Sequence, residues 1–136
     1  MRHFENYQHV SRFYDNIRTA VGIDIIRNQL ENGELPINKQ LLVDADCGTG
    51  LYSAALVRNV RKVEAIDLNA GMLKIAKGKM KLEGKNGLIN FYISSIDSLP
   101  LDDDTADAVM INQVLHHLPG NPTSGWANHE KVFREF

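Results

Sequence analysis

A chain of 136 residues with a formal net charge of −2 is long enough for one domain with a real core, and no basic excess marks it as a nucleic-acid binder. Hydrophobic residues make up 43% and charged residues 24%, the balance of a globular protein, and no apolar run is long enough to span a bilayer. The polar start, Met1-Arg2-His3-Phe4-Glu5-Asn6, lacks the apolar stretch of a signal peptide, and the single cysteine, Cys47, excludes an internal disulfide and fits a reducing compartment, by default the cytosol.

Residues 3–18 set Phe4, Tyr7, Phe13 and Tyr14 among polar groups, and Val10/Tyr14 and Phe13/Ile17 are each four apart. That spacing predicts a helix with a part-buried face. Residues 19–31 repeat the signal with Val21, Ile25, Ile26 and Leu30 on one stripe. Asn32-Gly33 should end that helix, with glycine in the left-handed conformation of a C-terminal cap, and Pro36 should keep the following linker extended.

From residue 39 short apolar runs alternate with helical stretches. Strands are predicted at about 40–45, 62–67, 88–94 and 106–111, and helices at about 50–59, 70–83 and 113–118. Alternation of this kind builds a parallel sheet with helices packed on its faces. Residues 119–128 form a turn-rich loop, and His129–Phe136 begins a further helix. The organisation is therefore N-terminal helices over 1–38 and an α/β core over 39–136, one domain overall, with no internal repeat.

The run Leu41-Leu42-Val43-Asp44-Ala45-Asp46-Cys47-Gly48-Thr49-Gly50 reads as the start of a nucleotide-cofactor site: a strand, an acidic residue at its end, and a small-residue turn opening a helix. Glycines there let the backbone approach a ligand closely. A second apolar run, Val63-Glu64-Ala65-Ile66, ends in Asp67, whose carboxylate can accept hydrogen bonds from ribose hydroxyls. A dinucleotide fingerprint would read Gly-x-Gly-x-x-Gly, whereas Gly48-Thr49-Gly50-Leu51-Tyr52-Ser53 has serine at the third glycine. On this segment alone a tight turn with no ligand remains open.

Further segments make the likeness specific. Val43–Gly50 resembles the first motif of class I S-adenosylmethionine (SAM)-dependent methyltransferases, Asp-x-Gly-x-Gly-x-Gly. Ala65-Ile66-Asp67-Leu68-Asn69-Ala70-Gly71-Met72-Leu73 resembles their second motif, and Ser95-Ile96-Asp97-Ser98-Leu99-Pro100-Leu101 the third. Ala106-Asp107-Ala108-Val109 through Asn112-Gln113-Val114-Leu115-His116-His117-Leu118 resembles the fourth. The nearest likeness is to small-molecule methyltransferases of the ubiquinone and menaquinone pathway type.

The resemblance implies a Rossmann-like three-layer α/β sandwich with a parallel sheet ordered 3-2-1-4, and a role for each matching residue. Asp44 would hold the amino group of the methionine moiety, directly or through water, and backbone at Asp46, Cys47 and Gly48 would line that moiety, with Gly50 completing the turn. Asp67 would bind the ribose hydroxyls, and Leu68 and Met72 would pack against adenine. Ser95 and Ile96 would meet the adenine edge, Ile96 through its backbone N–H, and Asn112 would sit near the transferable methyl. SAM carries no phosphate, so a missing third glycine matters little.

Two departures stand out. Position 46 should be glycine and is aspartate, which adds bulk and charge; it could repel the cofactor carboxylate, turn away, or meet the sulfonium or ammonium. Reversion to glycine is expected to tighten SAM binding. The sequence also stops after the first four strands of a seven-stranded fold, so the strand at 106–111 would present an open apolar edge. A homodimer through that edge is one expectation, and a short form or fragment is another.

His116 and His117 are adjacent and point to different sides of a helix, so they do not make a metal pair, and no metal site is expected; either is a weak candidate base facing the substrate. Cys47 reads as packing beside the cofactor rather than as a nucleophile. Asp102-Asp103-Asp104 reads as a solvated turn, Tyr14 as a lid or a core residue, and Trp126 as a substrate-lining or anchoring residue. The expected function is SAM-dependent methyl transfer to a small molecule, with S-adenosylhomocysteine as product and no nucleic-acid or membrane partner. The alternatives are a non-catalytic SAM-binding interaction module and, with less support, an NAD(P)-binding oxidoreductase domain.

Overall fold

The computed structural model describes residues 20–111. The helices expected at 3–18 and 113–118 and from 129 onward, the loop at 119–128, and with them Tyr14, Asn112, His116, His117 and Trp126, lie outside the described residues. In chain order the described elements are α1 (Ile23–Glu31), β1 (Leu41–Ala45), α2 (Leu51–Leu56), β2 (Lys62–Asp67), α3 (Ala70–Leu82), β3 (Ile89–Ile93) and β4 (Ala108–Ile111). Single 3₁₀ turns at Ile37–Lys39 and Asn86–Leu88 lead into β1 and β3.

The four strands are parallel, in the order β3-β2-β1-β4. Register decides which residues share a face, because side chains alternate along each strand. Leu42 lies beside Val63 and Ala108, Val63 lies beside Ile89, and Asp44 lies beside Ala65 and Met110. Apart from Asp44 these residues join the main core, together with Leu30 of α1, Tyr52 and Leu56 of α2, and Leu73 and Met80 of α3. All three described helices therefore cover one face of the sheet. On the other face Ala45 packs with Ile96, Val109 and Ile111. The strands are buried almost end to end at β1 and β2, as expected for the centre of a parallel sheet.

Several boundaries differ from expectation. The helix placed at 50–59 stops at Leu56, and the strand placed from 106 begins at Ala108. At β4 the Asp107 carboxylate accepts the Leu41 N–H at 2.7 Å, so a side chain takes the place of a ladder bond there. Gly33 is not the left-handed cap predicted for α1. The left-handed glycine of that helix is Gly22 at its N-cap (φ 81°), while Asn32 at the C-cap has φ −84°. Gly33 is small for a different reason: a Cβ there would lie 3.3 Å from both Gln40 Nε2 and the Leu30 carbonyl oxygen. Buried Gln40 donates from Nε2 to the carbonyls of Leu30 and Leu35, each at 2.7 Å, and so ties the end of α1 to the start of β1.

Candidate functional site

The C-terminal ends of β1 and β2 bring three carboxyl groups together, and crevices at strand ends are where open α/β sheets bind ligands. Asp44 is the fourth residue of β1 and only 3% exposed. It points into the helix-covered face, where Ser53 Oγ of α2 donates a 2.5 Å hydrogen bond to its Oδ2. Burial pushes its pKa up, against the Ser53 hydrogen bond and with the help of the Asp67 charge, to about 7.

Asp67, the last residue of β2, is 5% exposed and accepts two backbone donors. Gly48 N–H donates to Oδ2 and Asn69 N–H to Oδ1, both at 2.8 Å. Cys47 N–H adds a 2.9 Å bond to the Ile66 carbonyl. The turn after β1 is thus bound to the end of β2, and the ribose-binding candidate and the glycine turn form one unit. Asn69 caps α3 by accepting the Met72 N–H at 3.0 Å, which satisfies one of the orphan donors of that helix.

Asp46 follows β1 with φ 61°. This left-handed conformation is the physical reason for glycine at the corresponding motif position, and aspartate tolerates it better than most residues. The residue is exposed as a whole, while its carboxyl end is partly shielded by surrounding protein. That burial, together with the neighbouring carboxyls of Asp67 and Asp44, holds its pKa well above the ordinary carboxylate range, at about 7. Among the described residues no lysine or arginine pairs with any of the three carboxyl groups.

The two glycines of the turn have different duties. At Gly48 (φ 59°) a Cβ would meet nothing within 4 Å. At Gly50 (φ 81°) it would lie 3.3 Å from Ala76 Cβ and 3.5 Å from Met80 Cε, both on α3. Gly50 therefore admits the close passage of α3 against the start of α2, not the approach of a ligand. Cys47 is buried, and burial together with the surrounding carboxylates drives its thiol pKa upward, which keeps it protonated and removes it as a nucleophile.

Beside Asp67, Leu68 is a large apolar side chain 69% exposed to solvent, an uncompensated surface suited to a flat apolar ligand. Met72, the third residue of α3, is half-buried. Ser95 is half-buried, with its hydroxyl accepting a long 3.5 Å bond from the Asp97 N–H. Ile96 is buried, with its side chain in the second, smaller core cluster. A groove of about 530 Å³ lined by Lys77, Asn86, Asn90 and Tyr92 with Ile89 and Phe91 runs along β3 and shares no residue with the carboxylate site. Sequence reasoning missed Ser53 as a functional neighbour and Asn69 as a cap. The available signals were a hydroxyl at the third-glycine position and an asparagine just before a helical stretch.

These features fit SAM. The site offers a carboxylate at the end of β2, an exposed apolar side chain beside it, and an excess of negative charge that a cationic ligand would offset.

The chain is similar to known proteins. A demethylmenaquinone methyltransferase of Clavibacter sepedonicus is 34% identical over 115 residues, which is 82% of this chain and 46% of that protein. The chain thus spans about half the length of this curated relative. A putative S-adenosyl-L-methionine-dependent methyltransferase of Methanococcus maripaludis superposes with a TM-score of 0.78 over 99% of this chain and 58% of its own, at 16% identity. Geranyl diphosphate C-methyltransferase of Streptomyces coelicolor A3(2), crystallised with S-adenosyl-L-homocysteine, gives a TM-score of 0.69 at 16% identity over 85% of this chain and 38% of its own. At such identities both likenesses establish the fold. The profile of the family described as "Methyltransferase domain" matches residues 43–136, well over half of the sequence, and the chain belongs to that family.

Proposed function

We propose that this chain carries the cofactor-binding part of a SAM-dependent methyltransferase acting on a small-molecule acceptor. The observation that carries the reading is the placement of Asp67, held at the end of β2 by the Gly48 and Asn69 N–H groups, with exposed Leu68 beside it. A carboxylate oxygen can accept more than one hydrogen bond, so both oxygens keep capacity for ribose hydroxyls. The names of relatives in the menaquinone and geranyl diphosphate series support an acceptor that is a small organic molecule.

When bound, SAM supplies an electrophilic methyl group on a sulfonium. The protein's contribution is binding and orientation. Asp67 accepts the ribose hydroxyls, and Leu68 and Met72 flank the adenine. Ser95 and the backbone of Ile96 face the adenine edge. Backbone at Asp46, Cys47 and Gly48 lines the methionine portion. Asp44 is too buried for easy direct contact; it orders the turn and reaches the ammonium end through water. Ser53 sets the carboxylate orientation for that task.

The deciding experiment is calorimetric titration of the purified chain with S-adenosylhomocysteine, with NAD as control. Saturable binding of S-adenosylhomocysteine alone is the expected result. Binding of NAD alone would overturn the proposal.

Two finer points belong to the same reading. Self-association through the outer edge of β4 is part of this reading; among the described residues β4 pairs only with β1. Cytoplasmic placement is supported by a buried, unpaired Cys47; among the described residues no helix is long and apolar enough to cross a membrane.

A further inference from the structure

Resting on the methyltransferase reading, we infer that Asp46 is a charge-discriminating residue, whose carboxylate favours the cationic cofactor SAM over its neutral product S-adenosylhomocysteine. Of the three carboxyl groups at the strand ends, Asp44 and Asp67 are 3% and 5% exposed, and both already accept hydrogen bonds from the protein. Asp46 alone is exposed. Its place is fixed by its neighbours: Cys47 N–H is bonded to the Ile66 carbonyl and Gly48 N–H to Asp67, so the turn cannot drift from the end of β2. Glycine would fill the left-handed position at φ 61° without strain. The chain instead places a carboxyl group there, ionised above its raised pKa of about 7, beside Asp67 and Asp44 and without a basic partner among the described residues.

The two ligands isolate that charge. Both carry the same adenosine, ammonium and carboxylate, so any repulsion between Asp46 and the amino-acid carboxylate cancels in their affinity ratio. They differ in the sulfur, a methylated sulfonium with a positive charge in one and a neutral thioether in the other. Attraction of unit charges over several ångströms, partly screened by water, corresponds to about a 3- to 30-fold preference. The consequence would be weaker retention of product after each transfer. The groups that face Asp46 are the carboxyls of Asp67 and Asp44 and the Cys47 thiol. The thiol stays neutral, so the local field is set by the acids.

The test is calorimetric titration of SAM, S-adenosylhomocysteine and sinefungin into the wild-type chain, Asp46→Asn and Asp46→Gly, at about pH 8, above the raised Asp46 titration. Asp46→Asn keeps the shape and the tolerance of left-handed backbone and removes only the charge. Asp46→Gly is a second, less strained background that should fold readily. The SAM to S-adenosylhomocysteine affinity ratio should fall about 3- to 30-fold in both variants. Sinefungin, which bears an amine in place of the methylated sulfonium, should follow SAM. In Asp46→Gly the product should tighten more than SAM does. An unchanged ratio with binding retained would overturn this role while leaving the methyltransferase reading intact. Failure of the wild-type chain to bind any of the three ligands would overturn that reading and this role with it.

Discussion

Ser53 Oγ donates a 2.5 Å hydrogen bond to Asp44 Oδ2, and both side chains are shut away from solvent between α2 and the sheet. The serine occupies the position where a dinucleotide fingerprint carries its third glycine. Instead of clearing space for a close helix–strand approach, this chain uses the position to hold an acid. That one bond links the helix after the turn to the strand before it.

Ser53→Ala should therefore destabilise the fold by about 1.5–3 kcal/mol, the usual range for losing a hydrogen bond to a charged or partly charged acceptor. The Asp44 carboxyl, deprived of its donor, should titrate higher still. Urea denaturation at neutral pH measures the first effect. A loss below about 0.5 kcal/mol would mean that Asp44 finds another donor.

The raised pKa of Asp44 makes the ligand-free chain pH-sensitive. Folded Asp44 titrates near 7 and its unfolded counterpart near 3.8, so between those values the folded state binds more protons. Stability from this group is fully present below about 3.8 and is lost as pH rises through about 7. The slope approaches about 1.4 kcal/mol per pH unit within that window. Asp46 acts in the same direction with a smaller, solvent-screened share. Denaturation midpoints of the wild-type chain and Asp44→Asn, taken across the window, should converge at one end and separate at the other. Parallel curves would show that Asp44 titrates normally.

The turn glycines should separate cleanly. Gly50→Ala forces a Cβ against Ala76 and Met80 at a left-handed position, a combined cost of about 2–4 kcal/mol. Gly48→Ala meets open space and should cost only the backbone term, about 1–2 kcal/mol. Chemical denaturation of both variants tests the order. Equal losses would contradict the packing role assigned to Gly50.

Asp67→Asn keeps the shape of the side chain and can still accept N–H groups through its single carbonyl oxygen, but it cannot serve Gly48 and Asn69 on separate oxygens as the carboxylate does. S-adenosylhomocysteine affinity should fall about 10- to 100-fold, the scale of a lost charge-assisted hydrogen bond. Circular dichroism should report a retained fold. Undiminished affinity in this variant would remove Asp67 from the ribose-binding role.

The sequence by itself determined the α/β alternation, the positions of the four strands to within two residues, and the turn after β1 as the place to look. Apolar runs of β length separated by helical stretches leave few other solutions, and the Val43–Gly50 motif names its own location. The order 3-2-1-4 came from the family resemblance, and the strand pairings agree. Only the tertiary structure decided what each small or polar residue in that motif does. Positive φ at Asp46 explains why glycine is usual there. Contact with α3 gives Gly50 a packing duty, and contact with Gln40 explains Gly33. The Ser53–Asp44 bond and the bridge from Gly48 to Asp67 join residues nine and nineteen positions apart. Local pattern records which face a residue takes and where a turn falls, because those depend on neighbours along the chain. Which partner a buried carboxyl meets depends on how separate segments pack, and hydropathy carries no trace of that.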